Sequence, residues 1–364
     1  MKERFKSVAG IAAAYAGTLF GAGFVSGQEI LRFFAAWGSL GILGALIAGA
    51  GFAALGAVIM GLARRLGTAD YERVVSPVGG ALPKIIEVLI STWLFGVITV
   101  MLAAAGTLFE TLTNLPALLG AAILTAAVLV VNLLGAEGFT RALSAVVPVM
   151  IALGFGTAAA GAFIGPDATL QAGASPDLAV APHWLVSAAL YISYNILGPI
   201  GVLAPLGRKT AREGDVRLGA LIGGGVPGLF AALLCAAMLK NQAVARAFDM
   251  PMFAIARGIS PALGYVYAGV LFLGIFTATS GISFSLLSRL SAYRLPGILG
   301  KRAFLVSLVC ALAFALSRLG FASLVGTVYP VYGWLGFAVI ALMIVNRIRA
   351  RKLPQSGGER ASMD

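Results

Sequence analysis

"GAGFVSGQEI", residues 21–30, interrupts an apolar run that is long enough to cross a membrane. Gly21, Gly23 and Gly27, with Ser26, Gln28 and Glu29, are poor material for a helix at that depth. Helix-breaking backbone in hydrocarbon strands amide and carbonyl groups, so it persists only where protein, water or ligand satisfies them. The stretch therefore reads as a binding site. A half-helix starting near Ser26 or Gly27 would turn its N–H groups towards a cavity and suit a carboxylate. Carbonyls freed around Ala22 and Val25 would suit a small cation.

The rest of the chain supports a membrane setting. Of 364 residues, 60% are hydrophobic and 11% charged, with a mean hydropathy of +0.97, far from a soluble domain. The basic start, Met1 to Lys6, leads into an apolar stretch too long for a signal-peptide core, so a retained first span is expected. Ten segments approach the twenty or so apolar residues that a spanning helix needs: 7–36, 39–63, 82–109, 116–134, 138–164, 183–206, 216–239, 262–288, 302–318 and 320–346. With the N-terminus inside, 21 of the 26 Lys and Arg residues fall on the inner side. The positive-inside rule then places both termini in the cytoplasm.

That distribution also explains the formal charge of +12 without nucleic acid. Cys235 and Cys310 lie in separate apolar segments and read as packing residues. A short helical cap is expected over 240–261, around Met250 and Met252, and the residues after Arg351 read as a disordered tail.

Segment six carries a second interruption, "NILGPIG", residues 195–201. Five spans separate it from the first, so the two broken helices cross in opposite directions. Interrupted segments in matching positions of an inverted repeat are the best sequence pointer to a transporter's binding site. The expected layout is a first repeat over 1–164, an outer loop over 165–182, a second repeat over 183–350 and the tail over 351–364.

"GAGFVSGQEILRFF", residues 21–34, resembles the first-helix signature of the YkvI family of bacterial membrane proteins, a branch of the amino acid/polyamine/organocation superfamily. The resemblance covers the whole hydrophobic body. It implies an all-α integral membrane protein of the inner membrane, with ten transmembrane helices in the LeuT-type 5+5 inverted repeat and helices one and six broken. It also implies a cation site. In sodium-coupled relatives the eighth helix supplies neighbouring hydroxyls and the first supplies carbonyls. Here "FTATSGIS" offers Thr279, Ser280 and the Phe276 carbonyl, and alignment through "LRF" at 31–33 puts the first-helix carbonyls at Ala22 and Val25. Hard oxygen ligands without a carboxylate suit Na+. The alternative for Thr279 and Ser280 is bonding back to their own helix.

Glu29 is the acid well inside the first span, whereas Glu87 is near the end of segment three. An intramembrane acid defaults to function: Glu29 could coordinate a cation, bind a substrate amine or carry a proton. Its bland alternative is an ion pair with Arg32 at i,i+3 spacing. The tenth segment offers no acid to pair with Arg32. The substrate set around the breaks is Gly21, Gly23, Phe24, Ser26, Gly27, Glu29, Tyr191, Tyr194, Asn195 and Gly198, with Trp93 and Tyr332 as further aromatic candidates.

Weaker signals have structural readings. Gly223, Gly225 and Gly228 fit the letter of a dinucleotide fingerprint, but no strand precedes them, so close helix packing is expected. His183 reads as an interfacial residue, and Pro148 as a bend in segment five. No catalytic set emerges. The sequence points to a Na+-coupled symporter of a small organic, amino-acid-like solute, with a proton-coupled permease using Glu29 or a non-transporting receptor as alternatives.

Overall fold

The computed structural model describes residues 2–76, 81–135, 146–164, 175, 177–210, 212–292, 296–297 and 301–351. Numbered over these residues, the helices are α1 (Lys2–Leu19), α2 (Ala22–Ser26), α3 (Gln28–Phe33), α4 (Ser39–Leu66), α5 (Tyr71–Val75), α6 (Leu82–Thr113), α7 (Ala117–Leu133), α8 (Val146–Phe163), α9 (Trp184–Leu197), α10 (Ile200–Lys209), α11 (Glu213–Lys240), α12 (Gln242–Ala247), α13 (Pro251–Ile259), α14 (Pro261–Ala292), α15 (Arg302–Ser317) and α16 (Phe321–Arg351).

By length and composition, α4, α6, α11, α14 and α16 can each cross a membrane, and α9 with α10 forms a sixth span bent by 65°. The other apolar segments are the shorter helices α7, α8 and α15 and the interrupted α1–α3. Five of the ten expected spans thus meet the length test outright, and a sixth meets it when the bent pair is taken as one span. Large apolar side chains such as Leu43, Ile47, Leu118, Ile123 and Leu221 cover the outer surface, as lipid contact requires. The chain is a multi-pass membrane protein.

Small residues set the helix spacing. A Cβ on Gly228 of α11 would fall on the backbone of Gly49 in α4, and one on Gly224 would fall on Phe52 and Ala53. Gly223 likewise lies against Ala12 and Tyr15 of α1. With little hydrophobic drive between helices in lipid, such close backbone approach provides the dispersion that holds them. The glycine run is a packing seam, as expected. A Cβ on Gly225 would face open space, although the Gly225 carbonyl lies on the seam against Gly49.

The expected cap is present as α12 and α13, with Met250 and Met252 buried at 1% and 0% exposure. Pro148 lies in α8 two residues after its first described residue, and the stretch 136–145 before it lies outside the described residues. The start of segment five (138–145), most of the outer loop (165–174 and 176) and the tail (352–364) lie outside the described residues. His183 caps α9, its Nδ1 accepting from the Leu185 N–H at 3.2 Å. Cys235 and Cys310 are free and buried.

At the end of the bundle where the N-terminus lies, Arg4 pairs with Asp215 of α11 at 3.3 Å. Glu87 accepts from both Tyr71 and Arg289, tying α5, α6 and α14 together. The Asn346 amide donates to the carbonyls of Arg73 and Val74, each at 2.8 Å.

Candidate functional site

The first break is built by backbone geometry. Helix α1 stops at Leu19, and the Gly21 N–H turns back to the Leu19 carbonyl at 3.1 Å. The one-and-a-half-turn α2 follows, and Gly27 then takes φ +88°, ψ −10°, a left-handed conformation that glycine adopts at little cost. The Met238 and Met252 side chains occupy the space where a Cβ at Gly27 would stand. The Ser26 hydroxyl donates to the Gly23 carbonyl at 2.7 Å. Ser26 therefore braces the break, and its hydroxyl is not offered to a ligand.

The second break differs in kind. Gly198 and Pro199 both have right-handed helical dihedrals, so segment six kinks by 65° without unwinding. Pro199 has no N–H to return to the Asn195 carbonyl, which is enough to kink a helix. The Asn195 amide donates to the Tyr191 carbonyl of its own helix at 3.0 Å. Space stands open beside both Gly21 and Gly198.

The breaks meet at Glu29. The Tyr194 hydroxyl of α9 donates to its carboxylate at 2.8 Å, and the same carboxylate fills the place of a Cβ on Gly23. Glu29 is 6% exposed and Tyr194 1%. Aromatic rings surround this link. Tyr329 of α16 stacks on Tyr194 at 4.8 Å and 20°. Trp93 of α6 lies 5.5 Å from Tyr194 and 5.4 Å from Tyr329. Phe33 and Tyr191 lie 5.3 and 5.4 Å from Tyr194, and Tyr332 touches the cluster through Trp93 at 5.1 Å.

Four separate segments, α3, α6, α9 and α16, thus converge on the Tyr194–Glu29 link. Tyr194→Phe removes one buried hydrogen bond, which is worth about 0.5–3 kcal/mol. Thermal unfolding of the purified variant should show a correspondingly lower Tm. An unchanged Tm would mean that the contact does not hold the two breaks together.

Several expectations are corrected. Phe24 does not face this centre. It packs on Phe20 at 5.5 Å and on Phe230 of α11 at 5.4 Å, because α2 turns that side towards α11. Glu29 makes no ion pair with Arg32 among the described residues. The Arg32 guanidinium lies against Gly326 of α16. With the Gln28 amide oriented to satisfy its neighbours, its oxygen accepts from Arg32 Nε at 3.3 Å and its nitrogen donates to the Asp249 carbonyl of the cap at 3.0 Å.

The expected oxygen cage is not gathered either. The Val25 carbonyl accepts from Tyr267 of α14 at 2.6 Å. Thr279 is twelve residues further along α14, about 18 Å of helix axis. A tyrosine side chain, its hydrogen bond and two metal–oxygen contacts do not span that interval. The Thr279 hydroxyl donates to Ile275 of its own helix at 2.6 Å, whereas the buried Ser280 hydroxyl makes no hydrogen bond among the described residues. Phe276 shares α14 with them, and Ala22 opens α2.

Tyr329 and Tyr267 were not legible as site residues. Tyr329 sits one turn before Tyr332 in "YPVYGW", and the Pro330 between them was the available signal. Tyr267 carries none.

No protein-family model matches the chain. It is 29% identical over 358 residues to the membrane protein YkvI of Bacillus subtilis strain 168, covering 97% of this chain and 99% of that one. Its resemblance to YkvI runs end to end. The YyaD protein of the same organism is 26% identical over 336 residues, 92% of this chain and 95% of that one. Among solved structures, the inward-facing form of Mhp1 superposes with a TM-score of 0.65 at 15% identity, covering 95% of this chain and 78% of that one. The closed form of Mhp1, described as a nucleobase-cation-symport-1 family transporter with bromovinylhydantoin bound, gives 0.59 at 16% identity, covering 94% and 78%. A manganese transporter of Eremococcus coleocola also gives 0.59 at 15% identity, covering 93% and 78%. This YkvI-like chain has the LeuT-type fold.

Proposed function

We propose that the chain is a secondary active transporter, a symporter that carries a small organic solute and is coupled to Na+ by alternating access. The observation behind this reading is the Tyr194–Glu29 bond, which joins the two broken segments at 2.8 Å in the bundle interior. A buried acid at the meeting point of two interrupted helices is where a solute would be bound and released as one repeat rocks against the other. The solved structures of this fold named above are transporters, which supports the same reading.

For the cation, Ser280 is the anchor, since its buried hydroxyl has no hydrogen-bond partner among the described residues. Thr279 and Phe276 adjoin it on α14, and Ala22 opens α2 of the rocking segment. Val25 is not part of this set. A ligand that binds only the folded protein stabilises it by RT ln(1 + [L]/Kd). NaCl should therefore raise the Tm saturably relative to choline chloride at equal ionic strength, and Thr279→Ala/Ser280→Ala should abolish the rise. A rise that the double variant retains, or none in the wild type, removes sodium from the proposal.

A second reading has its own observation. Glu29 is buried without a cationic partner among the described residues, which suits a proton carrier. Sodium-independent uptake that follows a proton gradient and fails in Glu29→Gln would favour it.

A further inference from the structure

Among the described residues, two acidic side chains are buried, Glu29 and Asp215. Asp215 is paired with Arg4 at 3.3 Å. Among the described residues, Glu29 has a single hydrogen bond, from a tyrosine, and no cation within ion-pair distance. An ionised carboxylate held out of water is costly unless a positive charge compensates it. Arg32, one turn away on the same helix, is directed instead to Gln28 and Gly326.

The surroundings of Glu29 are aromatic. Tyr194, Tyr329, Trp93, Tyr191 and Phe33 form one continuous aromatic cluster with centroid separations between 4.8 and 5.5 Å. Ring faces attract an ammonium within about 6 Å of their centroids. The Tyr191 hydroxyl, 1% exposed with its residue, makes no hydrogen bond among the described residues, so it can accept from an ammonium N–H. Neither Lys nor Arg belongs to this cluster. A ligand carboxylate placed here would meet Glu29 with no opposing charge. The six-residue α3 is also too short to supply a strong dipole in compensation.

We infer that the solute is a monocationic amine whose ammonium seats on Glu29 within the aromatic cluster, and that the site rejects the corresponding zwitterionic amino acid. This rests on the transport reading and narrows it from amino-acid-like to amine.

The test uses matched pairs that differ by one carboxylate: ethylamine and alanine, 3-methylbutylamine and leucine, phenethylamine and phenylalanine. Thermal shifts of the purified full chain in NaCl are titrated with each. At least one amine should shift the Tm saturably, at a concentration at least tenfold below its amino acid partner. Glu29→Gln should lose the shift, and Glu29→Asp, which keeps the charge, should retain a weakened one. Equal or tighter binding of the amino acid, no response to any amine, or an undiminished response in Glu29→Gln each overturns the inference. Transport is scored separately by solute-evoked current in proteoliposomes. Current with a zwitterion and no amine response defeats the amine assignment alone, whereas amine binding without current defeats transport alone.

Discussion

Glu29→Gln is expected to fold, to unfold at a Tm equal to or above that of the wild type, and to transport nothing. The amide keeps an oxygen that can accept from Tyr194 and removes a buried charge that has no cationic partner among the described residues. Holding an unpaired charge out of water is costly, so an uncharged amide of the same shape that keeps the hydrogen bond does not lower stability. A residue that costs stability and is kept at the junction of two interrupted helices is a functional one. Thermal unfolding and solute-evoked current, measured on one preparation, read both halves. A variant that loses several degrees of Tm together with its activity would make Glu29 a structural residue.

Gly228→Val should produce a large loss of stability in the scaffold. Its Cβ would coincide with the backbone of Gly49, and no rotamer relieves a clash with main chain. Helices α4 and α11 must separate along the seam that also includes Gly224. Overpacking of this kind costs about 1–3 kcal/mol, occasionally more. Gly225→Val, three residues away and facing open space, is the control and should cost little. Comparing the two by thermal unfolding in detergent checks the seam; equal losses would contradict it.

The two breaks were legible because glycine and proline act through backbone rules that need no tertiary context. Gly27 at φ +88° and the kink at Gly198–Pro199 fall inside the quoted stretches. The spans were legible for a related reason, since apolar length is a local property. What failed depended on which way short pieces turn. Phe24 adjoins the break, but five residues of α2 are enough to aim it at Phe230 and away from Tyr194. Val25 fell to Tyr267 of a distant segment, and the Thr279 hydroxyl bonded to its own helix, as hydroxyls in apolar helices do. Tyr329 entered the site by stacking across from α16, a contact that no spacing within one segment announces.

The central claim is that Glu29 and Tyr194 form the solute site of a transporter, and solute-evoked current in proteoliposomes tests it most directly. With an inward sodium gradient, addition of a stabilising amine should evoke a transient current in the wild type, diminished by removing sodium and absent in Glu29→Gln. A solute that shifts the Tm through Glu29 but evokes no current under a sodium or a proton gradient would contradict the claim and leave a receptor in its place.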